Sequence, residues 1–97
     1  MPRRRTTRWD AAAHLQNDAD MAAYLEAALD DGDSTVITAA LGDIARAKGM
    51  TEVARKTGLG RESLYKALSP HGNPEFATVL RVIEALGMKL RAIRAGS

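Results

Sequence analysis

Residues 51–69 read TEVARKTGLGRESLYKALS, and the reading of this stretch decides the fold. It divides into two short helices around a tight turn. Val53 and Ala54 face inward on the first helix. Gly58 takes the φ > 0 conformation that ends this helix and bends the chain sharply. Leu59 plugs the corner, and Leu64, Ala67 and Leu68 recur at helical spacing as the buried stripe of the second helix. Ala54 is the small residue wanted where two helices cross closely. A small residue, a glycine four positions on and an apolar residue six beyond that is the spacing of a helix-turn-helix.

With the inward positions assigned, Arg61, Glu62, Ser63, Tyr65 and Lys66 point outward from the second helix. Arginine and lysine donate to guanine edges or phosphates, and glutamate accepts from a cytosine amine. Serine and tyrosine hydroxyls suit phosphates or base edges. This is the chemistry of a DNA-reading face. The competing reading is an ordinary helical corner with a solvated outer side, since Gly-Leu corners occur in many all-α proteins.

Charge is distributed in blocks. The net charge of +2 combines +4 over residues 1–9, −8 over 10–43 and +6 from residue 44 onward. The corner lies in the last, basic block, as a phosphate-binding surface requires. The acidic block suits either repulsion of nucleic acid or attraction of a basic protein, although any single acid in it also serves as a solvated face or cap. Ninety-seven residues make one domain. The chain has no cysteine, hence no disulfide framework or thiolate metal site, which fits a cytoplasmic protein. No apolar run suggests a signal peptide or membrane span. Two lone histidines, no glycine-rich phosphate loop and scattered carboxylates offer no catalytic constellation, so no enzyme, metal or cofactor is expected.

Taken in order, residues 1–8 lack hydrophobic period and read as a mobile basic arm, followed by a single domain over 9–97. Trp9 anchors that segment on the core, and a short turn follows through residues 11–15. Asn17 or Asp18 caps the first long helix, whose apolar stripe is Met21, Tyr24, Leu25, Ala28 and Leu29. Acids at a helix C-terminus oppose its dipole, so this helix is predicted to stop by Leu29 or Asp30. Asp33 or Ser34 caps the next helix, with Val36, Ile37, Ala40, Leu41, Ile44 and Ala45 inward and Gly42 allowing close packing. Thr51 caps the first helix of the corner, and Gly60 caps the second. Ser69 to Gly72 form a loop that includes His71. Asn73 and Pro74 then start a last helix with Phe76, Val79, Leu80, Ile83 and Leu86 on its inner side and Gly87 at its end.

From Met88 to Ile93 apolar and basic residues alternate, which is strand periodicity. A lone strand needs a partner for its backbone, and no other segment reads as one. The same tail of a second subunit is therefore the expected partner, in a two-fold dimer. A tail packed on its own helices is the alternative. The expected fold is all-α: five helices around the corner, with a short C-terminal strand.

The run ALGDIARAKGMTEVARKTGLGRESLYKALSPHGNPEFATVLRVIEALGMKL resembles the addiction-module antidote family, the HigA-like antitoxins within the Xre/Cro helix-turn-helix superfamily. The upstream acidic AAYLEAALDDGD also resembles that family. The combination of ARAKGM, GRESLYKALS and GNPEF is more specific than a corner alone. The resemblance implies an antitoxin that neutralises a RelE/HigB-like ribonuclease toxin and represses its own operon by binding operator DNA. It places Arg61, Glu62, Ser63, Tyr65 and Lys66 on the operator and Thr51 and Arg55 on phosphates. It also gives the acidic block a purpose: Tyr24, Glu26, Asp30, Asp31 and Asp33 become candidates for holding a basic toxin. One departure stands out. The family commonly carries Ser or Thr where this chain has Gly60, which removes one side-chain contact. The alternatives are a stand-alone Xre-family repressor without a toxin, and a helical protein-interaction domain that never meets DNA.

Overall fold

Asn17 opens the first helix, its side-chain oxygen accepting from the Asp20 amide at 2.8 Å. That bond satisfies one of the N–H groups left without a partner at a helix start. The computed structural model describes residues 14–96. The expected arm at 1–8, the Trp9 anchor and residues 11–13 of the expected first turn lie outside the described residues. Within them, the elements are α1 (Asp18–Asp31), α2 (Ser34–Lys48), α3 (Met50–Thr57), α4 (Arg61–Ala67) and α5 (Phe76–Ala85). The architecture is all-helical, as expected.

α1 runs one residue past its predicted end, because Gly32 closes it in a left-handed conformation and donates its amide to the Ala28 carbonyl. Asp33 then caps α2, accepting from the Thr35 amide at 2.8 Å. α1 packs on α2, and α3 packs on α2, α4 and α5. Leu41, Ile44, Val53, Leu64, Val82 and Leu86 form the inaccessible centre. Each such side chain contributes about 1.5–3 kcal/mol by leaving water. Gly42 serves the close approach expected of it: a Cβ there would lie 3.2 Å from the Leu68 carbonyl, where the end of α4 crosses α2.

Four local expectations are corrected. Thr51 does not cap α3. Buried Met50 draws the helix start back by two residues, Gly49 stands at the cap, and no side chain bonds there. Asn73 and Pro74 do not start α5, which begins at Phe76 after an extended Glu75. The reason lies at Gly72, packed so tightly on the end of α4 that a Cβ would sit 2.3 Å from the Ala67 carbonyl oxygen. The loop is committed to that contact and remains non-helical through Glu75. The buried stripe of α5 turns accordingly. Phe76 is 67% exposed and Leu80 41%, while Val82, absent from the predicted stripe, is fully buried beside Ile83. On α2, Val36 is likewise exposed rather than inward.

The expected C-terminal strand is absent: no strand occurs among the described residues. Residues 88–94 run without regular structure. Alternation alone does not make a strand when no second strand meets its backbone groups. The tail instead starts by folding back on α5, the Met88 amide donating to the Ile83 carbonyl at 3.1 Å. Leu90 and Ile93 are exposed. No helix among the described residues is long and apolar enough to cross a membrane.

Candidate nucleic-acid interface

The turn between α3 and α4 is latched by a residue that the spacing analysis passed over. Thr57 is buried, and its hydroxyl donates to the Ala54 carbonyl at 2.9 Å while accepting from the Leu59 amide at 3.2 Å. Gly58 takes φ 79°, the left-handed conformation expected of it, and also donates to the Ala54 carbonyl. Leu59 packs half-buried against the core. Gly60 is extended at the start of α4, with no side-chain cap. The available signal for Thr57 was its place just before the left-handed glycine, where a hydroxyl reaches both sides of the turn.

α4 is held by Leu64 and Leu68, the first fully buried and the second nearly so. Their burial turns Arg61, Glu62, Ser63, Tyr65 and Lys66 to solvent together, as the spacing predicted. Within that face, Arg61 Nη2 donates to Tyr65 Oη at 3.2 Å, and its guanidinium carbon lies 5.5 Å from the ring centroid. Beside it runs an open groove lined by Ser63, Lys66, Ser69, His71 and Asn73. Residues of α4 and of the following loop thus share one surface.

On α3, Thr51 and Arg55 are both exposed. Arg55 is engaged: its Nη2 donates to Glu52 at 2.6 Å, and Lys56 lies 3.7 Å from the same carboxylate. Their mutual hydrogen bond, then the partner's opposite charge, holds the Glu52 carboxyl below its usual range and the Arg55 guanidinium above its own. Such a solvent-exposed pair contributes little to stability.

The five acidic-face candidates do not converge. Tyr24 is half-buried and donates its hydroxyl to Asp43 at 2.6 Å, bridging α1 to α2. Burial, with the Asp43 bond and charge, pushes its phenol up to about 12. Asp33 is occupied as the cap of α2. Glu26 and Asp30 border an open groove lined also by Leu25, Leu29, Met88, Leu90 and Ile93 and by the basic Lys89 and Arg91. Asp31 is exposed at the end of α1. The apolar lining contributed by the tail was invisible while the tail read as a strand.

A family model described as "probable addiction module antidote protein" matches residues 5–94. The chain belongs to this family of addiction-module antidotes. An uncharacterized protein of Haemophilus influenzae is 46% identical to the antidote over 83 residues, which cover 86% of each chain. No solved structure matches it. Membership implies an antitoxin role and a toxin as the antidote's partner.

Proposed function

We propose that this antidote neutralises a RelE/HigB-like ribonuclease toxin and represses its own operon by binding operator DNA through α4, in the manner of an Xre/Cro-type helix-turn-helix protein. The observation that carries the DNA half of this reading is the outward set Arg61, Glu62, Ser63, Tyr65 and Lys66, presented by a helix anchored through Leu64 and Leu68. Side chains of both donor and acceptor type on one exposed helix face match the pattern that a major groove offers. Thr51 and Arg55 flank it as phosphate contacts. Two copies would read two half-sites about 34–36 Å apart. The toxin half is supported by family membership and by the acidic residues of α1, which carries no basic residue.

The test is fluorescence anisotropy of the protein with a duplex from its own upstream region, over a range of salt. The expected result is preference over an unrelated duplex of equal length, with affinity falling steeply as salt rises. Equal affinity for both duplexes would remove operator recognition. For the toxin half, the protein is mixed with the product of an adjoining reading frame, and RNA cleavage is followed. Cleavage that continues undiminished beside a saturating amount of antidote would remove it.

A further inference from the structure

We infer that Arg61 and Tyr65 act as one reading unit for a guanine in the operator, with Tyr65 as the positioning residue that holds the guanidinium ready. The inference rests on the DNA-binding reading above. An exposed arginine ordinarily samples many rotamers and loses that freedom on binding. Arg61 is held at two points: over the Tyr65 ring at 5.5 Å from its centroid, and through Nη2 to the Tyr65 hydroxyl at 3.2 Å. The two residues are one helical turn apart on the same outward face.

The donor arithmetic favours one base. A guanidinium carries five N–H donors, of which the tyrosine takes one. The remaining donors allow two parallel bonds to the O6 and N7 acceptors of guanine. Adenine offers one acceptor beside a donor, and thymine one acceptor beside a methyl, so an arginine held in plane discriminates against both. No ion pair competes for Arg61 among the described residues: of the two carboxylates of the corner, Glu52 is taken by Arg55 and Lys56, and Glu62 makes no salt bridge with Arg61. Lys66 has no comparable support and acts as a mobile point charge.

The experiment measures binding to the upstream duplex for the wild type, Arg61→Ala, Tyr65→Phe, Tyr65→Ala and the double variant Arg61→Ala/Tyr65→Ala. It is repeated on duplexes carrying 7-deazaguanine, which lacks the N7 acceptor, at one protected guanine at a time. Arg61→Ala is expected to lose about tenfold to a hundredfold on the operator. It should also become blind to 7-deazaguanine at one guanine per half-site. Tyr65→Ala should lose about tenfold and Tyr65→Phe, which keeps the ring, about threefold, as is usual for single polar contacts. In the Arg61→Ala background the tyrosine change should cost less than about twofold. Binding to unrelated DNA should fall for Arg61→Ala too, because a cation is lost, but by less than binding to the operator. Equal cost of Tyr65→Ala in both backgrounds overturns the unit, and so does failure of any single 7-deazaguanine to distinguish wild type from Arg61→Ala. A wild-type chain that shows no preference for its upstream duplex overturns the DNA reading itself, a different signature.

Discussion

The Tyr24 hydroxyl donates to the Asp43 carboxylate at 2.6 Å, and Asp43 accepts at the same distance from Arg46. This chain of bonds ties α1 to α2 at the edge of the core. It makes Tyr24 part of the scaffold of the acidic face, whatever else it touches.

That bond has a pH signature. The folded phenol is pushed from its ordinary 10 up to about 12, chiefly by burial and then by Asp43. The fold therefore favours the protonated, donating form. Its contribution is complete below about pH 10 and is lost as pH rises through 12. Urea unfolding of the wild type should weaken between these limits, and Tyr24→Phe should remove that part of the loss. At pH 8 the same variant should cost about 0.5–1.5 kcal/mol, the usual worth of one hydrogen bond.

Thr57→Val keeps the shape of the buried side chain and removes both hydroxyl bonds of the turn. The Leu59 amide is left without its partner. A loss of about 1–3 kcal/mol is expected from chemical denaturation. Operator affinity should fall as well, because the latch sets where α4 begins.

Gly72→Ala and Gly60→Ser should have opposite signs. A Cβ at Gly72 would meet backbone oxygens of Ala67 and Lys66 at 2.3 and 2.6 Å. That clash should cost about 1–3 kcal/mol or more. At Gly60 the backbone is extended and nothing lies within 4 Å of an added Cβ. A serine there can cap α4, with a gain of a few tenths of a kcal/mol. Paired thermal melts compare the two.

Reversing Asp30 and Asp31 to lysine should separate the two proposed binding activities. Both acids sit in the last turn of α1, where negative charge opposes the helix dipole. The reversal should stabilise the fold by roughly 0.3–1 kcal/mol per residue. It should weaken toxin binding, measured by calorimetry, and leave operator binding unchanged. Asp33 is best left intact, since its carboxylate caps α2 and its loss costs about 0.5–2 kcal/mol.

How far the sequence could be read depended on whether a feature was local. The corner was legible because Gly58, Leu59 and Leu64 each have a role set by near neighbours, and the outward face of α4 followed once Leu64 was assigned. The caps at Asn17 and Asp33 were legible for the same reason. Phe76 and Leu80 were misplaced because two helical stripes fit α5 equally well. Which of them faces the core depends on where the helix starts, and that is set from outside it by the packing of Gly72 on Ala67. The tail misled because alternation is a necessary mark of a strand, and pairing is a property of a second segment. Among the site residues, the outward five were accessible to periodicity. The engagement of Arg55 by Glu52 and of Tyr24 by Asp43 was not, since both depend on rotamers and on the approach of neighbouring turns.

Gly49 is the lone residue between α2 and α3. Any tilt of the half that begins with α3 against the acidic half is therefore concentrated on one pair of backbone torsions and on the buried seam between those two helices. A toxin that bound α1, as proposed, would alter the aim of α4 only by straining that hinge point or sliding that seam. If neither yields, occupancy of one face is silent at the other.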